Sequence, residues 1–263
     1  MLANTDEVAQ VALFKGVDLP FEFCDVPISS SENTVLVRVL LSTICGSDLH
    51  TVSGRRSAEV PCVLGHEAIG TVAAHTNVCS TDEKPLRIGD RIVWSLTTSC
   101  GECHFCENKS LPQKCNTMFK YGHAQGVGDN VLTGGFATHM KLRKGTTIYH
   151  IPDSITDAEA VPINCALSTV VNGLQQIGTR SGETAVIHGA GMLGLYAACF
   201  LREHGYSIIA IVDKNETRLQ IAKRFGATHT FNADTTSTEE IDGILKDMTQ
   251  GHGIDLGVEV IPN

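Results

Sequence analysis

The sequence TAVIHGAGMLG, residues 184–194, decides how the C-terminal part of this chain folds. Its first five residues form an apolar run rich in β-branched side chains, which predicts a buried strand. The G-x-G-x-x-G pattern of Gly189, Gly191 and Gly194 follows at once, and Met192–Glu203 continues as a predicted helix. Gly189 suits a tight turn, Gly191 a close approach of pyrophosphate, and Gly194 the packing of helix on strand. The stretch therefore predicts a strand, a phosphate-binding turn and a helix.

The same alternation continues on both sides of this unit. A helix is predicted over Ala166–Gln176, and strands are predicted over Ser207–Val212 and Ile254–Ile261. Strands that alternate with helices indicate parallel βαβ units. The expected fold of residues 161–263 is therefore an α/β, partial Rossmann dinucleotide-binding domain. Because the chain stops just after the fourth expected strand, strands five and six are expected to be missing, and the chain is expected to be C-terminally truncated.

A carboxylate after the second strand favours NAD as the dinucleotide. Asp213 follows Gly189 by 24 positions, close to the ~20 typical of a carboxylate that binds the ribose hydroxyls. Such a carboxylate repels a 2′-phosphate, so NADP is the less favoured cofactor. Lys214 and Arg218 could lie near the adenosine ribose or on a solvated helix face. The expected cofactor-binding residues in this segment are Gly189, Gly191, Met192, Leu193, Gly194, Asp213 and Arg218. Judged on the glycine pattern alone, a flavin or SAM site remains an alternative.

The N-terminal part has a different character. Short β-rich runs punctuated by Gly, Pro and Asp predict a β-barrel-like domain over residues 1–160. The predicted strands include Val35–Leu41, Ala68–Ala74, Arg91–Ser95 and Gly135–Leu142. The fold class expected for the whole chain is thus a β domain followed by an α/β domain.

Four cysteines within one loop of the first domain predict a metal site. Cys100, Cys103, Cys106 and Cys115 follow the spacing C-x2-C-x2-C-x8-C, in a lobe at about residues 97–118. Four thiolates make a closed tetrahedral shell, which is typical of structural zinc and leaves no position for substrate. Ordinary buried cysteines or a disulfide pair are the alternatives. An iron–sulfur cluster also uses four cysteines, but its commoner spacings differ.

Two further segments are weak signals singly and stronger together. They are CGSDLH (residues 45–50), which follows the apolar run Val35–Ile44, and GHEAIG (residues 65–70). A lone His beside a Glu is more often a solvated pair, and a lone Cys at a strand end is usually in the core. Together, however, the two segments resemble the zinc-binding medium-chain alcohol dehydrogenases. The same resemblance singles out NCALST (residues 164–169) as the segment that supplies the third ligand.

The resemblance implies a GroES-like catalytic domain with a second, catalytic zinc. Its protein ligands would be Cys45, His66 and Cys165, with the fourth position open to water or substrate. Glu67 would lie behind the metal as an auxiliary or transient ligand, or would only hydrogen-bond to a ligand. Thr169, four residues after Cys165, would contact the nicotinamide.

The resemblance also implies a reaction, hydride transfer from an alcohol to NAD. Ser47 and His50 occupy the positions of a hydroxyl and an imidazole that relay the proton to solvent, and Asp48 would orient rather than react. Judged singly, Ser47 could be a strand-end cap and His50 a surface residue. The alternative function is a truncated metal-binding remnant that retains the ligands but has no turnover.

Finer placement within the family rests on a few residues. Gly46 matches the polyol and threonine dehydrogenase branches, whose third ligand is commonly Glu, so Cys165 makes a mixed signature. The segments Thr51–Arg56, Leu111–Cys115 and Tyr121–His123 look like a subgroup associated with phosphonate catabolism. Its Arg55–Arg56 pair could receive an anionic group or be simply solvated.

Composition excludes several classes of function. A net charge of −9 over 263 residues disfavours nucleic acid and anionic membrane as partners, and leaves a small-molecule alcohol, possibly anionic, as the expected one. The absence of a secretory signal predicts a cytoplasmic protein. Ten cysteines in such a chain fit metal ligation, and Cys24, Cys62, Cys79 and Cys199 are left unassigned. A homo-oligomer is expected for full-length members of the family, and that expectation does not extend to a truncated chain.

Overall fold

A computed structural model describes residues 7–28, 33–75, 80–81, 84–126 and 128–261. Cys79, one of the unassigned cysteines, lies outside these residues. The chain contacts divide into two compact units, Met1–Cys165 and Ala166–Asn263. This division falls a few residues after the position 160/161 at which the sequence placed the domain boundary.

The first unit is built on two antiparallel sheets. The smaller sheet has the order β2-β1-β4, with β1 at Val8–Phe14, β2 at Glu22–Pro27 and β4 at Cys62–Val63. The larger has the order β7-β3-β5-β6-β8, and its strands are β3 (Val35–Thr43), β5 (Glu67–His75), β6 (Arg91–Thr98), β7 (His139–Leu142) and β8 (Thr146–His150). The described residues of this unit also form the short α-helices α1 (Gly46–Val52), α2 (His104–Glu107) and α3 (Asp157–Ala160).

Side chains that alternate along the strands and point to one face form the core of the larger sheet. Val37, Ile92 and Met140 are fully buried, and Trp94 is 1% exposed. Each such side chain stabilises the fold by about 1.5–3 kcal/mol relative to exposure. The core therefore packs against β3 and β5, and these two strands lead to the residues that the sequence singled out.

The predicted strand Gly135–Leu142 was too long, because regular pairing begins only at His139. Before it, the backbone crosses between sheets: Gly135 N donates to Gly65 O at 2.6 Å and Thr138 N donates to Gln10 O at 2.9 Å. A Cβ on Gly135 would lie 2.6 Å from the Ser42 hydroxyl, so the crossing requires glycine. The close approach of two segments of the chain therefore ends the strand, although the apolar pattern of the sequence continues.

The second unit contains a parallel sheet in the order β11-β10-β9-β12. Its strands are β9 (Thr184–His188), β10 (Ile208–Asp213), β11 (His229–Asn232) and β12 (Leu256–Glu259), and its helices are α4 (Ser168–Ile177), α5 (Met192–Glu203), α6 (Glu216–Arg224) and α7 (Thr238–Met248). In chain order the strands lie as 3-2-1-4, the order of the first four strands of a Rossmann sheet. The predicted bounds of β9 and α5 match the structure, and β12 is shorter than predicted.

The predicted helix from Ala166 begins later than expected. Residues Ile163–Leu167 form a wider π-type turn, and regular α-helix starts at Ser168. Such turns often occur where a functional side chain must be aimed, and Cys165 lies in this one. Within the described part of the chain, no helix has the length and apolar content needed to cross a membrane.

Candidate functional site

The first candidate ligand, Cys45, is positioned by a local turn at the end of β3. It precedes α1, and its backbone N–H donates to Asp48 Oδ2 at 2.9 Å, while Asp48 N donates to Cys45 O at 3.0 Å. These two bonds close the first turn of α1 on itself. The Cys45 side chain is therefore held by the CGSDLH sequence itself.

His66 is positioned by the same aspartate. Its Nδ1 lies 3.3 Å from Asp48 Oδ1, and both side chains are almost fully buried. Asp48 Oδ1 also accepts a long bond from Gly65 N, at 3.4 Å. Burial alone would lower the pKa of His66, but its contacts with Asp48 and Cys45 raise that pKa to about 9. A carboxylate behind Nδ1 fixes the ring and leaves Nε2 to face a metal.

Cys165 arrives from a distant part of the first unit. The buried side chain of the preceding residue, Asn164, donates through Nδ2 to His66 O at 3.1 Å and to Ala68 O at 3.3 Å. These bonds hold the π-type turn against the start of β5. As a result the donor atoms of Cys45, His66 and Cys165 all lie within 4.8 Å of one another.

This donor set, hereafter the assembled cluster, fits a catalytic zinc ion. Two sulfurs and one imidazole nitrogen converge, which is the chemistry of zinc sites that keep a fourth position open. Hydrogen bonding from Cys165, followed by that from His66, lowers the pKa of the Cys45 thiol to about 3. The site thus favours a thiolate, the form in which cysteine binds metal.

Glu67 lies beside the cluster rather than within it. Its carboxylate accepts a hydrogen bond from Thr43 Oγ1, and its side chain contacts Cys165. Hydrogen bonding with Cys45, then burial, and lastly Glu67 raise the pKa of the Cys165 thiol. The residue is 6% exposed. This location behind Cys165 agrees with an auxiliary role, and direct binding of Glu67 to the metal stays a prediction.

The two predicted proton-relay residues occupy different positions on α1. Ser47 Oγ lies 3.3 Å from His66 Nε2, on the edge of the ring that would face the metal. His50 lies in the last turn of α1 and is half-buried. Among the described residues, its ring makes no hydrogen bond. The structure therefore brings Ser47 to the cluster and leaves the role of His50 as a prediction.

The four cysteines of the loop also converge. Cys103 immediately precedes α2 and Cys106 lies within this helix, and the sulfur pairs Cys103–Cys106 and Cys100–Cys115 are each 3.5 Å apart. All four donor atoms lie within 4.8 Å of one another. None of the nine cysteines that the structure describes is in a disulfide. We call these four residues the loop cluster.

Backbone donors prepare the loop cluster for metal. Cys100 N donates to Cys115 Sγ and Cys103 N donates to Cys100 Sγ, both at 3.3 Å. The Cys100 N–H, together with the Thr117 hydroxyl, lowers the pKa of the Cys115 thiol to about 6. A closed shell of four sulfurs fits a structural zinc ion and offers no coordination position for substrate.

The glycine turn of the second unit has the geometry that a dinucleotide phosphate requires. Gly189 adopts φ +107°, and a Cβ on Gly194 would lie 1.8 Å from Gly189 O, so α5 packs closely on β9. A Cβ on Gly191 would meet nothing within 4 Å, which leaves space at the N-terminus of α5. That helix end presents unpaired N–H groups and positive potential to an anion.

Family comparisons agree with this arrangement. The model for the alcohol dehydrogenase GroES-like domain matches residues 31–153, and the model for zinc-binding dehydrogenase matches residues 193–263. This chain belongs to the zinc-dependent medium-chain alcohol dehydrogenase family. The GroES-like and Rossmann assignments predicted from the sequence are thereby confirmed.

Other members of the medium-chain alcohol dehydrogenase family match most of the chain. This chain is 33% identical over 243 residues to the 5-exo-hydroxycamphor dehydrogenase of Pseudomonas putida. The aligned residues make up 90% of this chain and 66% of that relative. The chain is 30% identical over 244 residues to an L-threonine 3-dehydrogenase of Proteus mirabilis, with coverage of 90% and 65%. The structure superposes on an alcohol dehydrogenase from Thermotoga maritima with a TM-score of 0.92 at 28% identity, covering 96% and 71%. The chain therefore spans slightly less than two thirds of the length of these curated relatives.

The predicted cofactor residues lie mostly around the glycine turn. Asp213 ends β10, where its Oδ2 accepts from Ala190 N and its Oδ1 accepts from Asn215 N, both at 2.7 Å. The carboxylate is thus fixed beside the turn. Arg218 is exposed on α6, and Lys214 Nζ lies 3.6 Å from Asp234 Oδ1. Thr169 is exposed near the start of α4.

Sequence reasoning missed two residues at the assembled cluster. Asn164 ties Cys165 to His66, and the ring of His123 packs against that of His66 with centroids 4.9 Å apart. Both belong to segments that the sequence had already singled out, NCALST and Tyr121–His123. Adjacency to a ligand could have drawn attention to Asn164, but nothing in the sequence indicated the contact of His123.

Proposed function

We propose that this chain carries the zinc-binding and dinucleotide-binding parts of an oxidoreductase that transfers a hydride from an alcohol to NAD. The observation that carries the proposal is the convergence of Cys45, His66 and Cys165 to within 4.8 Å. These three residues are a catalytic donor set, since they leave a coordination position for substrate. The family relationship supports the same class of reaction.

Each residue of the assembled cluster has a definable task. Cys45, His66 and Cys165 would hold zinc, which supplies a Lewis acid that polarises the alcohol oxygen. The Ser47 hydroxyl, which lies next to His66 Nε2, is proposed to accept the alcohol proton. His50, on the same helix, is proposed to pass that proton to solvent. Asp48 holds the His66 ring in one orientation throughout.

The second unit would hold the dinucleotide. The N-terminus of α5 would face the pyrophosphate, and Met192 and Leu193 lie in the first turn of this helix. Asp213 would bind the ribose hydroxyls, and its negative charge would favour NAD over NADP. The positive charges of Lys214 and Arg218 would act in the opposite direction, because they attract a 2′-phosphate. Thr169 is proposed to contact the nicotinamide.

The loop cluster is proposed to hold a second zinc with a purely structural role. Ten cysteines, six of which belong to the two clusters, also support a reducing, cytoplasmic location. The net charge of −9 supports a small molecule rather than nucleic acid as the partner.

A turnover assay with metal analysis tests the proposal. The purified chain, loaded with zinc, should form NADH from NAD with at least one alcohol of a panel that includes polyols, threonine and hydroxyalkyl phosphonates. Elemental analysis should give two zinc ions per chain. A Cys45→Ser variant, which removes a ligand, is the control and should form no NADH. Binding of both metals without turnover on any alcohol would instead favour the metal-binding remnant.

A further inference from the structure

Asp213 lies at the end of β10, where its side chain continues the hydrogen bonding between two neighbouring strands. Gly189, the first residue after β9, donates through its backbone N–H to Val212 O at 2.8 Å. The following backbone N–H, that of Ala190, donates to Asp213 Oδ2 at 2.7 Å. The carboxylate therefore takes the place that a backbone carbonyl would have if the two strands continued, and it binds the middle of the glycine turn.

The bond to Asp213 fixes the orientation of the peptide plane between Gly189 and Ala190. This peptide bond is trans, so its N–H and C=O groups point in opposite directions. Its carbonyl oxygen, Gly189 O, lies directly against α5, because a Cβ on Gly194 would overlap it. Ala190 is only 1% exposed, so the packing of helix on strand encloses this plane. The Asp213 carboxylate therefore helps to set, through one peptide plane, where the N-terminus of α5 lies.

The second carboxylate oxygen connects the glycine turn to α6. Asp213 Oδ1 accepts from Asn215 N at 2.7 Å, and Asn215 caps α6 by accepting through its own Oδ1 from Arg218 N at 3.1 Å. The backbone carbonyl of Asp213 accepts from Ala233 N at 3.1 Å, in the segment after β11. One residue thus joins the turns that follow three neighbouring strands. In a Rossmann domain the first of these turns binds the pyrophosphate, and the end of the second strand lies beside the adenosine ribose.

The two carboxylate bonds are made within the chain and do not require a ribose hydroxyl. Both are short bonds from a backbone N–H to a carboxylate oxygen, a class roughly twice as strong as neutral hydrogen bonds. A carboxylate has about four acceptor positions, so these bonds still leave capacity for the hydroxyls of a ribose. The effect of Asp213 on the turn and its effect on the ribose are therefore separate contributions that an experiment can distinguish.

Resting on the dinucleotide binding of the proposed function, we propose that Asp213 is a positioning residue for the pyrophosphate. It acts through the Gly189–Ala190 peptide plane and α5, in addition to its contact with the ribose hydroxyls. The effect extends to any nucleoside diphosphate, including one without ribose hydroxyls. Loss of the carboxylate should therefore weaken pyrophosphate binding, although the removal of a negative charge near the phosphates would by itself strengthen that binding.

A ligand that lacks both ribose hydroxyls tests this inference. In calorimetric titrations of the zinc-loaded chain, Asp213→Ala should raise the Kd for 2′,3′-dideoxyadenosine 5′-diphosphate by about tenfold or more. Asp213→Asn keeps one acceptor oxygen and should recover part of that loss. The Kd for ADP should rise further than that for the dideoxy ligand, because ADP also loses its ribose contact. Asp242→Ala is the control, because it removes an exposed carboxylate of the same unit that pairs with Lys246, and its Kd values should stay within about twofold of the parent.

Amide hydrogen exchange, followed by NMR, tests the positioning of the turn without any ligand. In Asp213→Ala the backbone amide of Ala190 should exchange at least about tenfold faster than in the parent chain, because its acceptor is gone. The amide of Ile187, whose side chain is fully buried in β9, should keep its rate and so report that the sheet stays folded. An unchanged rate at Ala190 would overturn the inference.

The two measurements together separate this inference from the proposed function. If the parent chain binds the dideoxy ligand and Asp213→Ala binds it equally well, the inference is overturned and the proposed function stays intact. If exchange at Ala190 accelerates in Asp213→Ala but the parent chain binds neither ADP nor NAD, the positioning of the turn is supported and the proposed function is overturned.

Discussion

The two clusters of the first unit both bring metal-binding donor atoms together, but they draw these atoms from the chain in different ways. The loop cluster takes all four ligands from residues 100–115, whereas the assembled cluster takes Cys45, His66 and Cys165 from three distant segments. The loop cluster needs only a loop to close, but the assembled cluster needs β3, β5 and the π-type turn to be packed correctly. A local cluster therefore stabilises a piece of structure, and an assembled cluster depends on the whole unit.

The groups that support the ligands differ in the same way. In the loop cluster, backbone N–H groups of Cys100 and Cys103 donate to sulfur. In the assembled cluster, side chains position the ligands instead. Asp48 holds the His66 ring, and Asn164 holds the turn that carries Cys165. Backbone donors are present in any sequence that closes the loop, but the side-chain supports are specific residues. Mutations in one cluster should therefore change activity, stability or zinc content in a different way from mutations in the other.

The largest expected effect is on catalysis. Cys165→Ala removes one of three protein ligands from an open site, so NADH formation should fall by more than about a hundredfold while the protein stays folded. Steady-state kinetics and circular dichroism measure the two outcomes. Cys24→Ala, which changes a half-buried cysteine outside both clusters, is the control and should keep full activity. Full activity in Cys165→Ala would show that cysteines have been allocated to the wrong cluster.

The next effect is on stability and concerns the loop cluster. Cys103→Ala opens a closed shell whose metal contributes folding free energy directly, so Tm should fall by roughly 10 °C. Limited proteolysis should cut between Cys100 and Cys115, and zinc content should drop from two ions to one. A variant that kept its Tm and both metals would contradict the structural role of this cluster.

A smaller effect is expected when only a supporting residue of the assembled cluster is changed. Asp48→Asn keeps an acceptor for Cys45 N but removes the charge behind His66 Nδ1, so zinc affinity there should fall about 10- to 100-fold. Competition with a chromophoric chelator measures this, and the zinc of the loop cluster serves as the internal control. Equal loss from both clusters would mean that the substitution disturbs the whole unit.

The smallest effect lies outside both clusters and checks that they are independent of the nucleotide site. Asp213→Gly removes the carboxylate that repels a 2′-phosphate, so the preference for NAD over NADP should narrow by about tenfold. Titration with each dinucleotide measures the preference, and zinc content should stay at two ions. Equal affinity for both dinucleotides in the unmodified chain would show that Lys214 or Arg218 outweighs the carboxylate.

Prediction from the sequence succeeded where one segment determines its own conformation. The bounds of β9 and α5 follow from an apolar run and from a glycine turn in which Gly189 adopts a positive φ and Gly194 lets the helix pack closely on the strand. It failed for residues 135–138, where the close approach of Gly65 interrupts a strand-like pattern. It also placed Ala166 in regular helix, although the turn there is widened around Cys165.

The sequence by itself determined the kinds of ligand, the spacing of the loop cluster, the glycine turn and the identity of the family. All of these depend on residues close together in the chain, where geometry follows from a few torsion angles. Only the tertiary structure decided that Asn164 supports the third ligand and that His123 packs on His66. These contacts join residues far apart in the sequence, and their distances are set by how the strands and turns of the unit pack together.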